Sequence, residues 1–148
     1  MSVVLRSLAL LALLALAGCA AQSSKPDALP AAAAGIDWNA AKTVTVKMTD
    51  FDFTPAKLSF ESAQPVKLVL VNDGTDVHDF SAPAFFAGSS LRPGSTGPAG
   101  GKISLRKGQS AEIDLVPGAP GAYPLTCTEF LHEMFGMTGA ITVTAAAH

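Results

Sequence analysis

Three residues with donor atoms of different softness fall within one short stretch of the chain: Cys127, His132 and Met137, in the order Cys-x4-His-x4-Met. The residues just before it, 121–126, and just after it, 139–144, have the composition of strands. The stretch therefore reads as a loop leaving one strand and entering its neighbour. The ends of such a loop lie close together, so its three donors can converge on one point. A thiolate, an imidazole and a weak thioether together suit copper in both of its oxidation states. A second imidazole is needed, and two candidates remain: His78, after the strand-like run ending at Val71-Asn72-Asp73-Gly74, and the terminal His148.

The elements that must position these residues occupy only part of the 148-residue chain, a length that suits one domain. Residues 1–18 carry one basic residue, Arg6, and then an apolar run from Leu8 to Ala17. This is the pattern of a secretory signal, too short for a membrane-spanning helix. Its end, Leu16-Ala17-Gly18-Cys19, resembles the lipobox of bacterial lipoproteins. The resemblance implies cleavage before Cys19 and a lipid on its sulfur. Ala20 stands where Asp often retains such proteins at the inner membrane, which points to the outer membrane in a host that has two. With Cys19 lipidated, Cys127 is the one thiol left for the folded part. A free thiol in an oxidising compartment is a liability that a metal bond removes.

Residues 19–41 are rich in Ala, Pro and Ser, with Pro26, Pro30 and Gly35 breaking any helix, and read as a tether. A flexible chain of that length holds a domain on the order of 25 Å from its anchor. The charge excludes one class of partner. Ten basic residues against twelve acidic ones give a formal charge of −2, and loss of Arg6 with the signal leaves nine against twelve. Nothing is basic enough to bind nucleic acid. The acids at Asp50/Asp52 and at Asp73/Asp76/Asp79 read as solvated loops.

From Lys42 the pattern is that of strands. Val44, Val46 and Met48 alternate with polar residues, the period of a half-buried strand. Phe51, Phe53 and Pro55 interrupt the run. Residues 57–60 form a second run. Residues 66–71, Val-Lys-Leu-Val-Leu-Val, are so apolar and β-branched that they belong at the centre of a sheet. Asn72-Asp73-Gly74 is a turn, and residues 77–81 resume as a short strand. Residues 82–101, with three prolines and five glycines, read as one long irregular excursion carrying Phe85 and Phe86. Further runs follow at 103–105, 110–116, 122–127 and 140–144. Seven or eight short strands without a helical stripe predict an all-β protein, a β-sandwich, spanning residues 42–144, with 145–148 as a disordered tail that includes His148.

Cys127-x4-His132-x4-Met137-x-Gly139-x-Ile141, preceded by Gly121-Ala122-Tyr123 and an upstream Asn72 and His78, resembles the plastocyanin/azurin family of cupredoxins. The resemblance implies a Greek-key β-sandwich with one type 1 copper ion and electron-transfer activity. By position it makes His78, Cys127, His132 and Met137 the metal ligands. Met134, two residues after His132, has little loop to bring its sulfur back over a metal, and Met137 has the family spacing. Two departures stand out. Asp79 follows His78 where the family usually has Asn, and a carboxylate can accept but not donate the hydrogen bond that ties the two ligand loops together. Phe130-Leu131 also replaces a frequent Pro-Gly before the second histidine.

These observations set the functional expectations: a membrane-tethered, periplasmic electron carrier, a monomer and not an enzyme. Phe80, Phe130 and Leu131 are expected to keep water from the metal. Phe130, Leu131, Met134 and Phe135 are expected to form an apolar ring around His132 where redox partner proteins dock. The alternative is an envelope protein that stores or delivers Cu(I).

Overall fold

A computed structural model describes residues 35–147; the signal segment, Cys19 with its expected lipid, residues 20–34 and His148 lie outside the described residues. Among the described residues, ten strands form two five-stranded sheets. In chain order they are β1 (Lys42–Thr49), β2 (Asp52–Thr54), β3 (Lys57–Glu61), β4 (Val66–Asn72), β5 (His78–Ser81), β6 (Ser90–Leu91), β7 (Lys102–Leu105), β8 (Ser110–Val116), β9 (Gly121–Thr126) and β10 (Thr138–Thr144), with one short helix, α1 (Pro83–Gly88), between β5 and β6. One sheet runs β2-β1-β4-β8-β6 and the other β3-β10-β9-β5-β7. The expected sandwich is present. The two strands beyond the expected number, β2 and β6, are short edge strands of three and two residues. Such strands leave no periodic signal in sequence.

The core follows from alternation. β4 buries Val66, Leu68, Leu70 and Asn72 while the residues between them stay partly covered, as befits a strand flanked by β1 and β8. Val46 and Met48 of β1 and Leu115 of β8 meet Phe80, Leu125 and Ile141 of the opposite sheet, all with essentially no exposed surface. The stretch read as one irregular excursion is more ordered than expected. Pro83 starts α1, a position where its missing N–H costs nothing. The helix turns Phe85 and Phe86 into the core, with Phe85 stacked on Phe60 at 5.6 Å and Phe86 edge-on to Phe80 at 6.0 Å. These two rings pack under the loop and do not cover the ligand residues. Before β1, Trp38–Ala40 forms a single 3-10 turn, and the Arg92 guanidinium lies 5.7 Å from the Trp38 ring.

Two features place the site at one end of the sandwich. β1 and β4 are parallel with Met48 beside Asn72, so the turns that follow them emerge together. The Asn72 side chain is buried and organises the second of these turns: its amide donates to the carbonyls of Asp76 and Leu105, each at 2.8 Å, and its oxygen accepts the Gly74 N–H. In the other sheet β9 and β10 are antiparallel with Thr126 opposite Thr138, so Cys127 and Met137 close the loop between them. Gly139 lets β10 approach the segment before β3. A Cβ there would collide with the Ala56 carbonyl, which accepts the Ala140 N–H.

Candidate metal centre

His78 is the first residue of β5 and is wholly buried, as is Cys127 immediately after β9. Between Cys127 and Met137 the chain is compacted by its own backbone. The Cys127 N–H donates to the Met137 carbonyl at 3.1 Å, and the Met137 N–H donates to His132 at 3.0 Å. Leu131 and Gly136 both take positive φ, the left-handed conformation that such tight reversals require. The result brings distant atoms together. His78 Nδ1 is 3.1 Å from His132 Nδ1, and Cys127 Sγ is 3.4 Å from His132 Nδ1. The three ligand atoms lie within 4.8 Å of one another, all on buried residues. Two imidazoles aiming the same type of nitrogen at one spot, beside a thiol sulfur, are placed to share a metal ion.

The two methionines differ sharply. Met137 has no exposed surface, whereas Met134 is 80% exposed. Met137 is therefore the thioether enclosed with the other donors. The expected water shield needs correction. Phe130 is 85% exposed, and Phe80 sits in the core between Phe53 and Phe86. The ring that covers His132 is instead Phe51, edge-on at 5.2 Å and itself in contact with Phe135 at 4.9 Å. Leu131 is only partly covered. Phe51 has a φ of 68°, so the β1–β2 turn holds a strained residue to place this ring.

The departure at Asp79 is also resolved. The carboxylate cannot donate, but the bonds run the other way. Thr128 donates its N–H to Asp79 Oδ1 at 2.9 Å and its hydroxyl to Oδ2 at 2.7 Å. The tie between the two ligand-bearing segments is therefore made. The charge is balanced by Lys102, whose Nζ is 3.5 Å from Asp79 Oδ2 and donates to the Thr128 hydroxyl at 3.0 Å. The Asp79 backbone N–H points at Cys127 Sγ at 3.4 Å. Burial pushes the Cys127 thiol above its ordinary value, partly offset by the backbone N–H groups of Asp79 and Glu129. A metal must displace that proton to bind the thiolate.

One participant was not anticipated. Asp50, read as loop solvation, places Oδ1 3.1 Å from His78 Nε2. Bonds from the Thr75 N–H and hydroxyl, together with His78, hold its carboxyl down at about 2. Residues 50 and 51 thus serve both histidines, from a turn where the sequence shows only an interrupted strand. The signal lay in the pairing of β1 with β4, which puts position 50 beside the turn that leads to His78.

The family model of the cupredoxin-like domain matches residues 7–143. The chain belongs to the cupredoxin-like family. Among solved structures it is similar to dithionite-reduced auracyanin from the photosynthetic bacterium Roseiflexus castenholzii, with 21% identity and a TM-score of 0.53 over 71% of this chain and 98% of that one. It is also similar to auracyanin B, at 26% identity and a TM-score of 0.52 over 70% and 89%. A multicopper oxidase from Campylobacter jejuni shares the fold at 14% identity and a TM-score of 0.54, over 71% of this cupredoxin but only 30% of the oxidase. No curated protein matches the sequence. The cofactor of this cupredoxin is one type 1 copper ion. The donor set fits it: two imidazoles and a thiolate converge, and a buried thioether closes the loop.

Proposed function

We infer that this cupredoxin carries single electrons between redox partners of the bacterial envelope, held to a membrane by a lipid on Cys19. His78, Cys127 and His132 would hold the copper ion, with the buried Met137 thioether as a further, weaker donor. When bound, copper would supply a one-electron couple, Cu(II)/Cu(I). The observation that carries the reading is the convergence of the two Nδ1 atoms and Sγ within 4.8 Å inside a buried, hydrogen-bonded cage. The chain's own part is to keep that cage the same in both oxidation states. The Asp79–Thr128 tie and the Cys127–Met137 backbone bond fix the loop, and Phe51 keeps water from His132.

Phe130, Leu131, Met134 and Phe135, all on the loop that carries His132, are exposed, and so are Phe51 and Val77. An apolar surface of this kind, next to a ligand imidazole, suits brief docking of a partner through which the electron leaves. Enzymatic activity by this chain alone is disfavoured by composition: oxidases and reductases of this fold need further histidines for other coppers, and the sequence holds three in all.

The competing reading, storage or delivery of Cu(I), is separated by one experiment. The copper-loaded protein is cycled between ascorbate and ferricyanide in the presence of a Cu(I) chelator. An electron carrier keeps its copper through repeated cycles and recovers its visible band each time. Progressive transfer of the metal to the chelator would support delivery.

A further inference from the structure

Asp50 stands outside the four donors, yet its side chain is the most tightly organised carboxylate of the β1–β2 turn. Oδ1 accepts from the Thr75 N–H at 2.8 Å, Oδ2 accepts from the Thr75 hydroxyl at 2.8 Å, and Oδ1 also faces His78 Nε2 at 3.1 Å. His78 is fully buried, so its ring nitrogens meet only protein. A neutral imidazole carries one proton, and an ionised carboxylate can only accept. In the neutral ring, the contact with Asp50 therefore places the proton on Nε2. That leaves the Nδ1 lone pair free, and Nδ1 is the atom 3.1 Å from His132 Nδ1. The backbone is cut to fit this contact. A Cβ at Gly74 would lie 2.6 Å from both Asp50 Oδ1 and His78 Nε2, so a side chain there would force the pair apart.

We propose that Asp50 is a positioning residue for His78, fixing the tautomer that presents Nδ1 to the copper and holding the reduction potential down through its negative charge. The proposal rests on His78 being a copper ligand. A carboxylate bonded to the far nitrogen makes an imidazole a stronger donor, and stronger donation favours the more highly charged Cu(II) over Cu(I). Thr75 is the anchor that keeps the carboxylate aimed, and Gly74 is the gap that lets it reach. Asp52 belongs to the same turn but is not bonded to either histidine; its one side-chain hydrogen bond is to Thr54.

The test compares the wild-type protein with Asp50→Asn, Asp50→Ala, Thr75→Val and Asp52→Asn. Nitrogen-15 NMR of the metal-free protein reads the His78 tautomer, and voltammetry of the copper-loaded protein reads the potential. The wild type should show a slowly exchanging Nε2 proton, lost in Asp50→Ala. The potential should rise in both Asp50 variants, and Cu(II) affinity should fall about ten- to a hundredfold. Thr75→Val should shift the potential the same way by less, and Asp52→Asn, with the same charge change, should leave it in place. Asp50→Asn keeps an oxygen for the Thr75 N–H, so it guards against simple misfolding of the turn. A proton on Nδ1 in the wild type would overturn the proposal, as would equal potentials in Asp50→Asn and Asp52→Asn. Because the tautomer is read without metal, it stands apart from the copper assignment, whose own failure would appear as a copper-loaded wild type with no thiolate band.

Discussion

At the scale of single residues, the donor types in the sequence were enough to name the metal, and burial separates donors that spacing alone left in competition. Met137 and Met134 have the same chemistry, but one is enclosed and the other is 80% exposed. Met137→Leu should keep copper bound and raise the reduction potential, because one donor is lost and the apolar side chain left in its place disfavours the more highly charged Cu(II). Met134→Leu should change the potential little, and voltammetry of the two variants checks the ranking. His78 and Cys127 were legible as candidate ligands from the family spacing, and the fold brings them together with His132. Phe51 and Asp50 were not, because they act through contacts between turns far apart in the chain. No local pattern records that kind of contact.

At the scale of elements, the strands with alternating or continuous apolar residues were readable, since burial on one face imposes a period of two. β2 and β6 were missed because two or three residues carry no period. α1 was missed because six residues rich in Ala and Phe, set among prolines and glycines, look like loop. The tie between β5 and the loop after β9 depends on Thr128, whose hydroxyl serves the buried Asp79 carboxylate. Thr128→Val should lower stability by about 1–3 kcal/mol, the range for a lost bond to a buried charged group, as measured by urea unfolding of the metal-free protein. The β1–β2 turn has its own signature. The Asp50 carboxyl, held at about 2 by the Thr75 bonds, lies below its ordinary value of 3.8. Its contribution is complete above the unfolded-state value and disappears as pH falls from about 4 towards 2. Thermal unfolding of the metal-free protein across that window should show a smaller acid loss in Asp50→Asn than in the wild type.

At the scale of the whole molecule, among the described residues, one end of the sandwich gathers His78, His132, the Cys127 thiol and the Asp79–Thr128–Lys102 clamp. Copper that binds the folded chain and not the unfolded one must stabilise it by mass action, so the melting temperature should rise with free copper. The gain should shrink in acid, where protons compete with the metal for the imidazoles and the thiolate. Calorimetry with and without one equivalent of copper, at two pH values, measures both effects.

The assignment of His78, Cys127 and His132 to one metal ion is tested most directly by the visible and spin-resonance spectra of the copper-loaded protein beside those of Cys127→Ser. Two imidazoles and a thiolate around one ion predict an intense blue band with narrow copper hyperfine splitting, both abolished in the variant. A wild-type spectrum that is pale, or one that Cys127→Ser leaves unchanged, would contradict it.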